Sequence, residues 1–147
     1  MEIYALYDEV KNKEQVFKLI KQQMDFIGSK KTIEDINVSL QNALSNRSAR
    51  LVVCAEDESI KGFAFFNLAS GLESGGDYIW INELFVSPEY RRQGIAKALL
   101  EAIESFAKDN SVKYLALSTS TNNANARKLY QELGFDADLT LWVDKSL

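Results

Sequence analysis

The 147-residue chain contains no histidine and a single cysteine. Without histidine it can form no Ser-His-Asp triad, no Cys-His pair and no histidine general base. One cysteine excludes an internal disulfide and a zinc site built from Cys and His ligands. Because Cys54 lies in the apolar run 51–55 with no activating partner evident, we expect a buried structural thiol. A general base in this chain therefore has to be a carboxylate or a water molecule.

Basic residues are also in deficit, with 17 Lys and Arg against 21 Asp and Glu and a formal net charge of -4. Proteins that bind nucleic acids normally present a basic surface, so we expect no nucleic-acid partner, and charged tRNA is a less favoured substrate. The negative balance suits a cationic small molecule or a basic peptide. Its alternative role is solubility alone.

No apolar run approaches the length that a bilayer span requires. The first residues, Met-Glu-Ile-Tyr, lack the basic region and apolar run of a secretory signal. We therefore expect a cytoplasmic protein without a membrane partner. Its length and its hydrophobic fraction of 46% predict one globular domain over residues 1–147, for which a homodimer is the default oligomer.

The hydrophobic pattern predicts a mixed α/β (α+β) protein, because period-two and apolar runs alternate with stretches of helical spacing. The predicted strands are 2–7, 50–55, 61–68, 78–86, 113–118 and 139–143, and the predicted helices lie around 16–27, 32–44, 95–106 and 126–133. We also expect a hairpin turn at 56–59, an approximate capping box of Thr32 and Asp35, and helix stops at Gly28 and Gly134. A strand-helix-strand unit is nearly always a right-handed parallel crossover. The predicted strands 50–55, 61–68 and 78–86 should form an antiparallel meander. Together with the parallel crossover, this meander predicts a mixed sheet.

The turn Arg91-Arg92-Gln93-Gly94-Ile95-Ala96 carries most of the chemical information. It leads from a predicted buried strand into an amphipathic helix, so free N–H groups and the positive end of a helix dipole converge there. Gly94 and Ala96 add little bulk, and Arg91, Arg92 and Lys97 add positive charge. Neither dinucleotide-fold nor P-loop spacing is present. These features predict a diphosphate site, with an ordinary strand-to-helix connection as the alternative.

Two motifs resemble those of the GNAT N-acetyltransferase superfamily. Its signature Gln/Arg-x-x-Gly-x-Gly/Ala follows a strand ending in Val and a Pro-containing turn, and residues 91–96 match it. A second element, Asn-x-x-Ala-x-x-Leu-Tyr followed by Gly-Phe, matches residues 123–130 with Gly134 and Phe135. The resemblance covers residues 78–135. It implies a GNAT fold, with a mixed, mostly antiparallel sheet of six to seven strands flanked by about four helices.

The same resemblance implies an acetyl-CoA-dependent N-acetyltransferase that needs no metal, with acetyl and longer acyl donors both left open. Asn123 would hydrogen-bond the pantetheine, and Tyr130 would protonate the departing thiolate, unless it is only a packed aromatic side chain. The expected backbone contacts of the pantetheine are Phe85 and Val86, and those of the pyrophosphate run through the turn at Arg91, Arg92, Gln93, Gly94, Ile95, Ala96 and Lys97.

The base is the least determined part of this site. An alkylammonium with a pKa of about 10 is almost fully protonated at neutral pH, so its proton must be removed before it attacks. Glu83 is the candidate because family members often carry an acidic residue on the strand just upstream of the turn. Strand alternation places Asn82 and Glu83 on opposite faces unless a bulge intervenes. If Asn82 faces the acetyl group, water has to act. A surface or ion-paired carboxylate is the alternative for Glu83.

The expected acceptor is a primary amine of a small cationic molecule, a peptide or a protein, attacked directly in a ternary complex. We expect its contacts from residues 26–31 and from Trp80. The alternative function is a module of the same fold that binds acyl-CoA without turnover.

Overall fold

The computed structural model describes residues 1–4, 12–46 and 48–147, except for the side chain of Tyr4. Four described helices match the predicted ones: α1 Lys13–Phe26, α2 Ile33–Ser45, α3 Ile95–Asp109 and α4 Ala124–Glu132. The described strands are β1 Glu2–Tyr4, β2 Ala49–Glu56, β3 Ser59–Gly71, β4 Gly76–Val86 and β5 Tyr114–Ala116. The chain divides into two compact units, Met1–Leu117 and Ser118–Leu147.

The five strands of the first unit form one sheet in the order β1-β2-β3-β4-β5. Neighbours are antiparallel from β1 to β4, and β5 runs parallel to β4. The predicted mixed, mostly antiparallel sheet is therefore confirmed. The predicted hairpin turn is a two-residue turn at Asp57 and Glu58, with φ of 48° and 66°, as the primed turns of hairpins require.

Helices cover both faces of this sheet. The apolar sides of α1 and α2 pack on one face in a core that includes Val16, Leu19, Ile36, Leu40, Leu51 and Phe63. On the other face, the ring of Phe66 meets Phe106 of α3 edge-on, with centroids 5.4 Å apart. Cys54 is fully buried, as predicted, and burial raises the pKa of its thiol.

Local capping interactions explain where α1 ends and where α2 begins. Thr32 and Asp35 form the predicted capping box: the Asp35 N–H donates to Thr32 Oγ1 at 3.1 Å, and the Thr32 N–H donates to Asp35 Oδ2 at 2.8 Å. At the end of α1, Gly28 has φ of +79°, and Ser29 N–H donates to the Met24 carbonyl at 2.8 Å. This is a Schellman motif, which confirms Gly28 as the stop.

Three strand predictions need correction or comment. No strand forms at 139–143, where the side chains are exposed; within the second unit, whose residues are all described, no other strand is available to pair with it. The predicted strand 113–118 is shortened to Tyr114–Ala116. The part of the first strand beyond Tyr4 lies outside the described residues. Five described strands thus replace the six to seven expected.

None of the helices in the described part of the chain combines the length and apolar character that crossing a bilayer requires.

Candidate active site

The end of β4 has an open edge on the side of β5. Pairing between the two strands covers only residues 78–80 of β4, against 114–116 of β5. From Ile81 to Val86 no described strand pairs with that edge of β4, whose other edge continues along β3. An extended ligand can therefore add to the sheet here as a partial strand.

The turn between β4 and α3 leaves the first backbone N–H groups of the helix without intrahelical acceptors. A short 3-10 helix, Pro88–Tyr90, follows β4, and Arg92 and Gly94 both have left-handed φ, of 66° and 80°. The first hydrogen bond of α3 is donated by Ala98 N–H to the Gly94 carbonyl at 3.0 Å. The amides of Ile95, Ala96 and Lys97 consequently have no acceptor within the helix. Such a turn is suited to a diphosphate.

Two glycines shape this junction for different reasons. A side chain at Gly94 would meet no atom within 4 Å, so the space beside it is open and the left-handed backbone is what requires glycine. A Cβ at Gly62 of β3 would lie 3.0 Å from both the Phe85 carbonyl oxygen and Ile95 Cγ2. Gly62 therefore lets the start of α3 approach the sheet. We did not predict its role, although glycine inside a strand is a known signal of close approach.

Arg91 lies against aromatic rings. Its Nε donates to the Val86 carbonyl at 3.1 Å, and its guanidinium carbon lies 5.4 Å and 5.5 Å from the ring centroids of Phe26 and Phe85. A carbonyl oxygen has two lone pairs, so one position on Val86 is left for a ligand. The remaining polar side chains of the turn, Arg92, Gln93 and Lys97, are exposed.

A β-bulge at Asn82 determines where Glu83 points. Phe65 of β3 pairs with Glu83 and Phe66 pairs with Ile81, so Asn82 is the extra residue. Without the bulge, Ile81 and Glu83 would share a face; instead Glu83 faces α1. Asn82 lies on the same side of the sheet, where its Oδ1 accepts a hydrogen bond from Asn67 Nδ2 at 2.8 Å. The structure thus contains the bulge that the sequence analysis left open.

The Glu83 side chain is half-buried, and its carboxylate accepts a hydrogen bond from a side-chain amide. Gln23 Nε2 of α1 donates to Glu83 Oε2 at 2.7 Å. Burial raises the pKa of the Glu83 carboxyl, and the hydrogen bond from Gln23 opposes part of that rise. A carboxyl with a raised pKa retains a proton more readily than a surface carboxyl does, as an acid-base group requires.

Gln23 was missed by the sequence analysis. Its side chain is only 6% exposed, and its Oε1 is buried without a hydrogen-bond donor. The available signal was a polar residue on the apolar side of α1, four residues after the buried Leu19. A buried amide of this kind usually has a specific partner.

A cavity of about 290 Å³ lies between the α1-α2 pair and the sheet, and Glu83 forms part of its wall. Lys31, from the region predicted to contact the acceptor, lines this cavity and also a more open depression of about 600 Å³ formed with residues 28–33. Trp80 of β4 is half-buried and lines neither space.

The second unit holds the other two predicted site residues. Asn123 is the N-cap of α4, with its Oδ1 accepting from the Ala126 N–H at 3.3 Å. At the other end, Gly134 has φ of +85° and Phe135 N–H donates to the Tyr130 carbonyl at 2.9 Å, another Schellman motif. The rings of Tyr130 and Phe135 meet edge-on at 5.8 Å. The Gly-Phe pair therefore holds Tyr130 in place, and burial raises the pKa of its phenol.

Known proteins resemble this chain over nearly its whole length. The sequence profile of the Acetyltransferase (GNAT) family matches residues 13–135. The uncharacterised N-acetyltransferase YhfO of Bacillus subtilis is 29% identical over 121 residues, 82% of this chain and 80% of that protein. The spermine/spermidine N(1)-acetyltransferase of Bacillus subtilis is 28% identical over 106 residues, 70% of each. An aminoglycoside N-acetyltransferase solved with CoA covers 99% of this chain and 93% of its own at 20% identity, with a TM-score of 0.83.

Proposed function

The chain belongs to the Acetyltransferase (GNAT) family, and we propose that it transfers the acetyl group of acetyl-CoA to a primary amine of a small cationic molecule. The observation that carries the proposal is the placement of Glu83. The bulge turns its carboxyl toward α1, two residues before the strand end that would hold the donor. The relative that acts on spermine and spermidine supports a small amine as the acceptor.

Acetyl-CoA supplies the acetyl group as a thioester. The chain contributes the positions that bind it: the open edge of β4 at Phe85 and Val86 for the pantetheine, and the amides of residues 95–97 for the pyrophosphate. The dipole of α3 favours the negative charge there. Because the Ser87 N–H donates to the Lys61 carbonyl at 2.9 Å, the alternation of the antiparallel ladder turns the Phe85 N–H toward β3 and the Val86 N–H toward the open edge. In our proposal, the Val86 amide therefore polarises the thioester carbonyl, and Asn123 adds a hydrogen bond to the pantetheine.

Two side chains move protons in this proposal. Glu83 takes a proton from the acceptor ammonium, directly or through water, and leaves a neutral amine. The amine nitrogen forms a bond to the acetyl carbon as the carbon-sulfur bond breaks. Tyr130 donates its phenolic proton to the departing sulfur, and because burial raises the pKa of Tyr130, the phenol is protonated at neutral pH. The amide nitrogen gives up its second proton, through water, to the Tyr130 phenolate, and Glu83 releases the first proton to solvent. The products are an amide, a free thiol and one proton, with both side chains restored.

The test combines acetyl-CoA binding by calorimetry with release of free thiol in the presence of a panel of amines. Glu83→Gln and Tyr130→Phe should each lower kcat by roughly 100-fold to 10,000-fold, the range for a general acid or base, while the Kd for acetyl-CoA stays within about threefold. Glu58→Gln and Tyr114→Phe, at exposed positions, are the matched controls.

Unchanged turnover in both site variants would reject the assigned roles. Binding of acetyl-CoA without thiol release for any amine would instead support the non-catalytic module. Failure to bind acetyl-CoA and longer acyl-CoA would overturn the proposal altogether.

A further inference from the structure

The cavity beside Glu83 has a defined shape. It follows α2 from Asp35 to Ala43, a distance of about 12 Å at 1.5 Å per residue. Its floor includes one row across the sheet, because Leu51 of β2 pairs with Phe65 of β3, which pairs with Glu83 of β4. Adjacent strands lie about 4.8 Å apart, so this row is roughly 10 Å long. Only one end of this row, at Glu83, carries a carboxyl group.

The rest of the wall is almost entirely apolar. Ile20 and Met24 of α1, Ile36 and Leu40 of α2, and Phe63 of β3 complete it. The other polar contributors, Lys31, Asp35 and Ser39, are all exposed, and Asp35 already caps α2. The interior therefore offers one charged group, Glu83, and a surface that favours carbon over hydroxyl or ammonium groups.

This distribution discriminates between classes of amine. A polyhydroxylated amino sugar would bury hydroxyls against Leu51 and Phe65 without hydrogen-bond partners. A polyamine lying along the row would place a second ammonium among apolar side chains, away from Glu83. A monoamine with an apolar body fits both parts of the cavity. Its nitrogen can pair with the Glu83 carboxyl while its carbon chain contacts the apolar row. The volume is at the small end of the range for ligand pockets.

We propose that this cavity is the acceptor site and that the preferred acceptor is a primary monoamine with an aliphatic or aryl body, its nitrogen at Glu83 and its body along Phe65 and Leu51. The proposal rests on the proposed function, since it assigns a substrate class to the same carboxyl. It also goes beyond that function, because acetyl transfer to an amine does not by itself require the amine to bind in this cavity.

The experiment measures kcat/KM for propylamine, butylamine, pentylamine, hexylamine and 2-phenylethylamine against spermidine and glucosamine at saturating acetyl-CoA. For the alkylamines, kcat/KM should rise by up to about fourfold per added methylene until the cavity is filled, since burying a methylene is worth about 0.8 kcal/mol. Hexylamine should exceed spermidine and glucosamine. A flat series, or a preference for either polar amine, would overturn the proposal.

A second arm of the experiment fills the cavity with larger side chains. Ala43→Phe, and Ser39→Phe at an exposed rim position, should remove most of the gain with chain length, with acetyl-CoA affinity unchanged. The matched control is Asn42→Phe on the exposed side of the same helix, which should retain the gain. Because Ser39 is exposed, its variant tests the cavity even if Ala43→Phe does not fold.

Binding of hexylamine to the protein saturated with CoA, measured by calorimetry, separates the two proposals. If no amine is acetylated but hexylamine binds and Ser39→Phe weakens that binding, the proposed function fails and the site stands. If spermidine or glucosamine is acetylated while hexylamine neither binds nor reacts, the function stands and the site is wrong.

Discussion

The Glu83 carboxyl is subject to two opposing influences. Burial disfavours its charge, and the amide of Gln23 stabilises that charge with a hydrogen bond of 2.7 Å. The same amide leaves its own oxygen buried without a donor. Gln23 is thus held in an arrangement that serves Glu83 at the expense of its own hydrogen bonding, as a positioning residue would be.

Replacing Gln23 by leucine tests this role. Gln23→Leu removes the hydrogen bond to the charged form, so the pKa of Glu83 should rise further. The acidic limb of the kcat/KM profile should move to higher pH while the Kd for acetyl-CoA stays the same. Gln22→Leu, exposed on the same helix, is the control. An identical limb in both variants would contradict the coupling.

Glu83 also makes stability depend on pH. A carboxyl whose pKa is raised in the folded state favours folding below its unfolded pKa of about 4.3 and loses that contribution as pH rises through the folded pKa. Glu83→Gln removes the buried charge and retains an acceptor for Gln23. It should therefore melt at a higher temperature than the parent at pH 7, with the difference shrinking toward pH 4. A difference independent of pH would refute this account.

At the scale of elements, the start of α3 and the end of α4 position residues of the proposed site. Gly94 opens α3 and Gly134 follows the end of α4, both with left-handed φ and with open space where a side chain would be. In each case the requirement is conformational, because L residues pay a steric cost in this region. The motifs recognised in the sequence are largely the local chemistry of these two ends.

Gly134→Ala should destabilise the fold by about 1 kcal/mol and disturb Tyr130, whose carbonyl and ring both contact Phe135. We expect kcat to fall more than acetyl-CoA affinity. Gly75→Ala, at φ of +75° in the loop between β3 and β4, carries a comparable steric cost away from the site. Equal loss of kcat in the two variants, at matched loss of stability, would show that Gly134 has no specific link to Tyr130.

At the scale of the whole molecule, acetyl-CoA should stabilise the folded state by mass action. At 100 times its Kd, a ligand of the native state adds about 2.7 kcal/mol, or roughly 5–10 °C in melting temperature for a chain of this size. Scanning calorimetry with and without acetyl-CoA measures this. Gly94→Ala should melt with a smaller ligand-induced shift because strain at the turn displaces the amides, whereas an undiminished shift would place the pyrophosphate elsewhere.

The amino-acid sequence was sufficient for most of the elements and for acetyl-CoA as the co-substrate. The four helices, the hairpin, the capping box at Thr32 and the glycine stops follow from interactions within a few residues, which sequence patterns record directly. The turn at residues 91–96 is equally local, and the diphosphate site there remains a prediction. The single domain and the homodimer remain predictions.

The arrangement around Glu83, which we propose as the acceptor half of the site, was decided by tertiary structure. Gln23 and Glu83 are 60 residues apart, and no local pattern pairs them. The bulge at Asn82 depends on how β4 meets β3, so alternation alone assigned Glu83 no face. The strand predicted at 139–143 fails for a related reason, because a strand needs a neighbour as well as a pattern. Local sterics and hydrogen bonding fix caps and turns, whereas packing between distant segments fixes which side chains share a cavity.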